Sequence, residues 1–531
     1  MTRRYTYRPL LTGANSIRLL RLLPASGKAD IRCQIFDYQH PPEQAYGPYE
    51  ALSYTWGDTT DLRRISIEDD SSETFYFNIT ANLYTALLYL RESEISRTIW
   101  ADAICINQED IEERGRQVQI MAGIYSSARG VVIWLGKEGN CSTAALKMIR
   151  ASAITNQDLT GDGQAVATNA ARWLDGLWLG ERMLGALLAL LSRPWFRRIW
   201  VLQETAAARS ITIKCGRMEI TGSEFCRGLR SLSDFPEVDK LLRRPIGPLL
   251  QLMAGSALGG QDEYREAAPQ IWSNLSLRLF PLAELLDKFH AHEATDRRDK
   301  IFALLGMSTD HAILSSIRPD YTKCWSSLFQ ALIAHILGPL VWIRTWDEQP
   351  QAVIYGSGVP LGMITRCNGR ELVLSTRSPY VNKPPGAVIY SATWHNPAYA
   401  KGIRPRDVVC LLDGAQRPMV IRSEKDYFKI IVISLPPPVE IRAKSNDHER
   451  RADWPELVEN RPTGRTSRNC VLLWDLKPFT LPLENNVPHV QTDTLFEAIG
   501  VESTFHLGLP EPIQDRLTRE RFVREIMDDT Y

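Results

Sequence analysis

The chain has 531 residues and a formal net charge of zero at pH 7, because 62 basic residues balance 62 acidic ones. This balance argues against broad nucleic-acid binding, since proteins that bind the phosphate backbone usually carry an excess or a stripe of basic residues. Hydrophobic residues make up 44% of the sequence and charged residues 23%, which is typical of a globular protein. At about 150 residues per domain, the length predicts three to four domains.

The N-terminal residues and the cysteines indicate a cytoplasmic protein. No apolar run of about 7 to 15 residues follows the basic N-terminus, so we expect no secretory signal. The longest apolar stretch, residues 183–191, is shorter than the roughly 20 residues that span a bilayer. The nine cysteines are scattered without a CxxC pair, which favours reduced thiols over disulfides or a structural metal site. We therefore expect no membrane span and no bound metal.

The hydrophobic pattern predicts an α/β domain over residues 1–215. Alternating runs predict two antiparallel hairpins, at 16–23 with 31–37 and at 64–68 with 74–78. Apolar runs predict further strands at 49–56, 98–104, 131–135 and 210–215. Helical periodicity predicts helices at 82–91, 108–128 and 194–208. A strand–helix–strand order with a fully apolar second strand is typical of a parallel sheet covered on both faces.

The rest of the sequence predicts a helical insertion and three further regions. The insertion covers residues 137–191 of the first domain. Residues 216–345 are predicted to be mostly helical, and 346–440 to form short β-strands. Residues 441–531 are predicted to be a linker, mobile over 441–470, and a mixed C-terminal tail that ends in a charged helix.

The carboxyl ends of two predicted parallel strands carry most of the candidate site. In open α/β sheets, ligands bind beyond these ends, at a switch in strand order. The first end supplies hydroxyl, aromatic, glycine and carboxylate groups from Ser53, Tyr54, Trp56, Gly57 and Asp58. The second end supplies Asp102 and Asn107, just before a predicted helix start that would attract an anion such as phosphate.

Glu204 lies one turn after Trp200 on the predicted helix 194–208. A carboxylate on a half-buried face is costly unless it is paired or has a function. A salt bridge to Arg197 or Arg198 would make Glu204 structural, whereas an unpaired Glu204 would indicate a functional site. In the same way, Trp200 and Trp56 either stack on a ligand or pack the insertion against the sheet.

Three other features are predicted to be structural. His290 and His292 are two residues apart rather than four, which predicts a solvated helix end instead of a metal site. Cys105 has no catalytic partner in the sequence and is predicted to be buried packing. The charged residues 297–300 predict a helix start before the apolar residues 301–305.

Four blocks of the sequence resemble the fungal heterokaryon-incompatibility (HET) domain family, at family-like spacing over roughly residues 17–215. They are 49–58 (YEALSYTWGD), 99–108 (IWADAICINQ), 132–136 (VIWLG) and 193–204 (RPWFRRIWVLQE). Ala101 is a small departure, since the family usually has Ile or Val there. Residues 294–307, 319–321 and 402–422 are similar to regions that follow HET domains in fungal proteins.

The resemblance implies a role in self/non-self recognition and regulated cell death. HET domains are distantly similar to Toll/interleukin receptor (TIR) domains, which implies a flavodoxin-like parallel sheet flanked by helices. In that comparison, the helix with Trp200 and Glu204 corresponds to the one that carries the catalytic glutamate of NAD-hydrolysing TIR enzymes. Glu204 would then be catalytic, with NAD as substrate and no required cofactor. The groups that would bind NAD are Ser53, Tyr54, Trp56, Gly57, Asp58, Asp102, Asn107 and Trp200.

Two functions remain open at this point. In the first, the domain hydrolyses NAD, and Glu204 stabilises the positive charge that develops on the ribose. In the second, the domain is a non-catalytic signalling module that acts through self-association or contacts with other incompatibility proteins. The expected clustering of Tyr54, Trp56, Asp102 and Glu204 at one sheet edge favours the enzyme.

Overall fold

The chain divides into two compact units, Met1–Lys323 and Cys324–Tyr531, in a computed structural model. The described residues are 3–10, 16–27, 29–39, 46–69, 73–153, 177–234, 238, 242, 246–257, 277, 279–310, 313, 316–368, 371–376, 389–395, 402–424, 427–436, 440–445, 448–452 and 468–476. The domain boundaries predicted at 215, 345 and 440 stay predictions.

The first unit combines one large sheet with flanking helices. Its strands are β1 (Arg3–Arg4), β2 (Ser16–Leu22), β3 (Arg32–Gln39), β4 (Glu50–Tyr54), β5 (Leu62–Glu68), β6 (Thr74–Thr80), β7 (Arg97–Trp100), β8 (Val131–Trp134), β9 (Ile211–Cys215) and β10 (Met218–Thr221). Its helices are α1 (Ala81–Leu90), α2 (Asp102–Cys105), α3 (Ile111–Gln119), α4 (Met121–Ser127), α5 (Ser142–Ser152), α6 (Leu177–Leu191), α7 (Trp200–Ala207), α8 (Gly222–Ser231), α9 (Gly247–Ala257), α10 (Leu282–Phe289) and α11 (Asp299–Leu305). The predicted α/β architecture is confirmed.

Four parallel strands form the centre of this sheet. The strand order is β1-β6-β5-β3-β2-β7-β4-β8-β9-β10, and β7, β4, β8 and β9 are mutually parallel. Both predicted hairpins are confirmed as the antiparallel pairs β2–β3 and β5–β6. Since the chain visits β4 before β7 and then crosses back to β8, the strand order switches between β4 and β8. Open α/β sheets bind ligands at such a point.

Local sequence explains the elements that frame the switch point. All four residues of β8 are apolar and buried, as expected for a strand covered on both faces. The N-cap residue Thr80 starts α1 by accepting a hydrogen bond from the Leu83 N–H. Leu83 and Leu87 lie four residues apart and are buried, so α1 packs through one apolar face.

One predicted strand ends early, and two predicted helices are divided. The predicted strand 98–104 ends at Trp100 and continues as α2, whose first residue Asp102 accepts the Ala103 N–H through its side chain over 2.8 Å. The predicted helix 108–128 is divided into α3 and α4 at Ile120, where ψ is 6°.

The predicted helix 194–208 is also divided. Pro194–Arg197 forms a 3₁₀ helix, Arg198 is extended, and α7 then begins at Trp200. The physical reason is a pair of backbone hydrogen bonds to Glu293: its N–H donates to Arg197 and its carbonyl accepts from Ile199. Pairing with a distant segment therefore replaces helical hydrogen bonds here.

The predicted helical regions are confirmed where the structure describes them. Helices α5 and α6 form the two ends of the insertion, and residues 154–176 lie outside the described residues. Helices α8 to α11 follow the parallel sheet, and α9 packs against α7. Strand β10 is an addition that the sequence did not predict; it pairs antiparallel with β9 just before α8.

The second unit contains a mostly antiparallel sheet, which confirms the predicted β-rich region. Its elements are α12 (Trp325–Leu337), β11 (Trp342–Thr345), β12 (Gln351–Asn368), β13 (Glu371–Thr376), β14 (Ile389–His395), β15 (Val408–Leu412), β16 (Met419–Ser423), β17 (Phe428–Val432), β18 (Glu440–Ser445), β19 (His448–Ala452) and β20 (Arg468–Asp475). The strand order is β15-β16-β17-β20-β12-β13-β14-β18-β19, with β11 paired to β12.

The prediction of a linker over 441–470 is wrong in part, because β18 and β19 form an antiparallel hairpin there. Their charged sequence concealed them, and β19 is an edge strand, where charged residues are common. The predicted tail over 477–531, including its charged helix, lies outside the described residues. Across the described ranges, no helix has the length and apolar character needed to cross a membrane.

Candidate functional site

Glu204 is hydrogen-bonded to the carboxyl end of the central strand β4. The Ser53 hydroxyl donates to Oε2 of Glu204, and the Trp195 indole N–H donates to the Ser53 Oγ over 2.8 Å. Ser53 is 0% exposed and Glu204 is 3% exposed. The two hydrogen bonds connect the 3₁₀ helix, strand β4 and helix α7, so they fix Glu204 at the switch point of the sheet.

Glu204 has no ion-pair partner among the described residues. Arg197 lies 3.8 Å from Glu293 instead, and Arg198 donates to the main-chain carbonyl of Tyr54. Burial therefore raises the pKa of Glu204 to about 7, although the Arg198 charge and the Ser53 hydrogen bond oppose the rise. Glu204 therefore titrates near neutral pH rather than in the usual acidic range of a glutamate. Glu204 therefore lacks the salt bridge to Arg197 or Arg198 that would have made it a structural residue.

Asp102 connects the ends of strands β4 and β7. Its Oδ2 accepts the indole N–H of Trp56 over 2.8 Å. Burial raises the pKa of Tyr54 well above its usual range, and the negative charge of Asp102 adds to the rise. The Asp102 charge also raises the pKa of Glu204. The structure therefore brings Tyr54, Trp56, Asp102 and Glu204 together around one sheet edge, and their role in ligand binding stays a prediction.

Gly57 and Asp58 lie in the exposed loop that follows β4. Gly57 has φ of +77°, a left-handed conformation that favours glycine. The Asp58 Oδ1 accepts both the main-chain N–H and the hydroxyl of Thr60, which closes a turn. Both residues are exposed, and their role in ligand binding stays a prediction.

Asn107 is part of a structural network at the start of α3. Its main-chain N–H donates to Glu113 over 2.7 Å, and its side-chain oxygen accepts from the Glu109 N–H. Glu113 also forms a bidentate pair with the buried Arg18, at 2.5 and 3.0 Å. The N-cap Asp110 and the acidic first turn make this helix start unfavourable for a phosphate, because like charges repel.

Trp200 contacts the segment that follows the parallel sheet rather than the end of β4. Its side chain lies close enough to Asp299 to lower the pKa of that carboxyl group, and the Asp299 Oδ1 accepts the Tyr321 hydroxyl over 2.7 Å. Burial raises the pKa of Asp299 to about 6. A Cβ atom at Gly306 would lie only 1.8 Å from the Gln203 Nε2, so glycine allows α11 to close on α7. Trp200 and Glu204 therefore have separate partners, although they lie one turn apart.

The prediction for His292 is wrong, and the prediction for Cys105 is confirmed. His292 is fully buried against Phe289, and burial lowers its pKa to about 3. The Lys300 ammonium group donates to the carbonyls of His290 and His292, which holds this turn against α11. Cys105 is buried, and burial raises the pKa of its thiol to about 12, as expected for a packing residue.

Three further residues support the site. The sequence pattern gave no role to Trp195 or Asn82, and it indicated Arg198 only as a salt-bridge partner of Glu204. Trp195 donates to Ser53, and Arg198 donates to Tyr54. Asn82 donates to the Thr55 carbonyl over 2.6 Å and accepts the indole N–H of Trp134 over 3.1 Å. Trp195 and Arg198 belong to the block 193–204, so their proximity in sequence to Glu204 was the available signal.

These elements lie in the part of the chain that matches a known protein family. Residues 49–204 match the family model described as Heterokaryon incompatibility protein (HET), and the match begins beside β4 and ends at Glu204. Over these residues the chain is thus similar to HET domain proteins. It is 30% identical over 346 residues to Heterokaryon incompatibility protein 6, OR allele, of Neurospora crassa. That similarity covers 58% of this chain and 49% of the relative, so it spans about half the relative's length. No solved structure matches the chain.

Proposed function

We propose that the chain is an effector of heterokaryon incompatibility that hydrolyses NAD at the nicotinamide glycosidic bond. The HET match and the name of the Neurospora relative support a role in incompatibility, in which hydrolysis would cause regulated cell death. The observation that carries the enzymatic part is Glu204, a buried carboxylate at the switch point of a parallel sheet that forms no ion pair with any described residue. Buried carboxylates with a perturbed pKa are concentrated at functional sites.

The strand order supports a TIR-like domain. The four parallel strands are arranged in chain order as second, first, third and fourth, which matches the flavodoxin-like order through its fourth strand. In folds of this type the ligand lies at the junction of the first and third strands, here β4 and β8. Ser53 and Tyr54 end the first of these strands, and Glu204 lies against Ser53.

The proposed reaction breaks the bond between ribose C1 and the nicotinamide nitrogen. The bonding electrons leave with nicotinamide, which becomes neutral, and positive charge develops on the ribose. Ionised Glu204 stabilises that charge, and a water molecule then adds to C1, giving ADP-ribose and one proton. Arg198 favours the ionised form of Glu204. Half-buried Trp56, held by Asp102, offers an aromatic face to a base.

The test is NAD consumption by the purified full chain. We expect Glu204→Gln to abolish nicotinamide release, because the neutral amide does not stabilise the cationic ribose. Glu293→Gln is a matched control, since Glu293 is an exposed carboxylate in contact with the segment before α7. The wild-type rate should rise with pH around a midpoint of about 7, where Glu204 ionises. Absence of NAD cleavage by the wild type, also under conditions that force self-association, would refute the reaction.

A second function, assembly without catalysis, is favoured by the burial of Glu204. At 3% exposure and bonded to Ser53, Glu204 also holds α7 against β4. The domain would then act through copies of itself or other incompatibility proteins. Expression of variants in a fungal cell separates the two functions. Glu204→Gln abolishes cell killing if NAD hydrolysis causes it, and preserves killing if assembly causes it.

A further inference from the structure

Two arginines hold the carboxyl ends of the neighbouring strands β4 and β8. Arg198 donates through Nη1 to the carbonyl of Tyr54. Arg193 donates through Nη1 to the carbonyl of Leu135 over 2.6 Å and through Nη2 to that of Lys137 over 2.9 Å. Tyr54 and Trp134 are partners in the parallel β4–β8 pair. The two guanidinium groups therefore lie at adjacent strand ends, on the two sides of the switch point.

Neither guanidinium group has a carboxylate within 4 Å in the described part of the chain. Their hydrogen bonds go to neutral main-chain carbonyls, and both side chains are half-buried. Arg197, the neighbour of Arg198, differs because it pairs with Glu293 and is more exposed. Partly desolvated guanidinium groups that are not neutralised bind anions strongly, because their planar N–H groups match phosphate oxygens.

The backbone around Arg193 is shaped for this contact. Gly136 has φ of +103°, a conformation that side chains other than glycine rarely adopt. A Cβ atom at Gly136 would lie 3.3 Å from Nη1 of Arg193. Glycine at this position lets the end of β8 approach the guanidinium group, so Arg193 is held in place before a ligand binds.

We propose that Arg198, supported by Arg193, binds the diphosphate group of a nucleotide ligand at the switch point. The inference rests on the proposed function, because it assigns the part of the substrate that joins the two nucleosides of NAD. Arg198 is the principal ligand. Among the described residues, its Nη1 alone donates to a carbonyl, whereas both terminal nitrogens of Arg193 do so. The start of α3 is acidic, so the two arginines form a better anion site than that helix start does.

Arg198 has one other function to be separated from diphosphate binding. Its charge lowers the pKa of Glu204, although the two side chains form no ion pair. If that were its whole role, replacing Arg198 would affect every substrate of the site equally. If Arg198 also binds diphosphate, the replacement affects ligands that contain this group more than ligands that lack it.

The test compares ligands with and without diphosphate on the full chain. ADP-ribose binding is measured by calorimetry for the wild type, Arg198→Gln, Arg198→Lys and the adjacent control Arg197→Gln. We expect at least a tenfold loss of affinity in Arg198→Gln, a smaller loss in Arg198→Lys, which keeps the charge, and none in Arg197→Gln. Cleavage of nicotinamide riboside, which has no diphosphate, should fall less in Arg198→Gln than cleavage of NAD. The lost effect of Arg198 on the pKa of Glu204 slows both reactions, whereas the lost diphosphate contact slows only NAD cleavage.

The outcomes separate this inference from the proposed hydrolysis. ADP-ribose binding that is lost in Arg198→Gln supports the inference even if the wild type cleaves no NAD, in which case only the hydrolysis fails. Wild-type affinity in Arg198→Gln, or no ADP-ribose binding by the wild type, overturns it. An equal loss of NAD and riboside cleavage also overturns it. If Arg198→Gln does not fold, Arg198→Lys decides, and unchanged ADP-ribose affinity in that folded variant overturns the inference.

Discussion

Glu113 and Glu204 are buried to the same extent, but only Glu113 forms an ion pair within the described residues. Each of the two side chains is 3% exposed. Glu113 receives two hydrogen bonds from Arg18 and one from the Asn107 N–H. Glu204 accepts a hydrogen bond from the Ser53 hydroxyl, and no cationic group among the described residues is in contact with it.

The difference distinguishes a structural carboxylate from a candidate functional one. At Glu113 the opposite charge of Arg18 compensates for burial, and the pair joins β2 to α3. At Glu204 the Arg198 charge and the Ser53 hydrogen bond compensate for burial only in part, so its pKa is raised to about 7. A fold tolerates such a cost where the group has a function, which makes the pairing of a buried acid more informative than its burial.

The largest expected effect is that of Glu113→Gln. This change leaves the Arg18 guanidinium buried without an opposite charge, which typically costs 3 to 5 kcal/mol (about 4 kcal/mol) of unfolding free energy. Urea unfolding at pH 7, followed by tryptophan fluorescence, measures the loss. Glu109→Gln is the matched control, because Glu109 pairs with Arg4 at the surface and should contribute less than about 1 kcal/mol. Equal effects at the two sites would contradict the comparison.

The same substitution at Glu204 should have the opposite sign. The folded protein retains a proton on Glu204 up to about pH 7, whereas the unfolded chain releases it near 4.5. The contribution of Glu204 to stability is therefore complete below pH 4.5 and is lost as the pH rises to about 7. A shift of this size corresponds to roughly 3 kcal/mol as an upper limit. Glutamine stays neutral at every pH, so the Glu204→Gln protein should not lose this stability as the pH rises.

Unfolding free energies at pH 4.5 and pH 8 measure the effect. Glu204→Gln should match the wild type at pH 4.5 and exceed it at pH 8 by up to about 3 kcal/mol. Glu293→Gln, at an exposed carboxylate, should show no such gain. A Glu204→Gln protein that is less stable than the wild type at pH 8 would show that the ionised carboxylate is compensated in the folded state.

The smallest expected effect is at Glu224, a carboxylate near the surface. Glu224 and Thr221 form a capping box at the start of α8. Burial would raise the pKa of Glu224, but hydrogen bonds from Thr221 outweigh it, so the pKa is lowered. Glutamine preserves the capping box, and Glu224→Gln should cost only about 0.5 kcal/mol at pH 7.

The pH dependence at Glu224 runs opposite to that at Glu204. A carboxyl group with a lowered pKa contributes stability above its unfolded value, and this contribution is lost as the pH falls. The difference between Glu224→Gln and the wild type should therefore disappear near pH 3 in thermal unfolding. Thr221→Ala, which removes the cap itself, should cost more, about 1 kcal/mol, at both pH values. A Glu224→Gln effect that grows in acid would be inconsistent with this account.

The sequence by itself determined the elements whose signals are local. Alternation predicted the hairpins β2–β3 and β5–β6, and an apolar run predicted β8, because side chains of a strand face its two sides in turn. The four motif blocks also identified the region that matches the HET family model, and they placed Glu204 on a helix beside the sheet.

Tertiary structure decided the features that depend on partners far apart in the chain. Helix 194–208 is interrupted because Glu293 supplies backbone hydrogen bonds to the residues on either side of Arg198. Burial of His292 depends on the packing of its turn against α10 and α11, which no local pattern encodes.

The candidate site shows the same division. Its residue types were visible in the sequence, but the partner of Glu204 was not, since Ser53 lies 151 positions earlier in the chain. The sequence left a salt bridge to Arg197 or Arg198 as an alternative, and only the folded arrangement directs those arginines to Glu293 and to the end of β4. The charge of a buried acid depends on which groups the fold brings within a few ångströms, and spacing along the chain does not determine that.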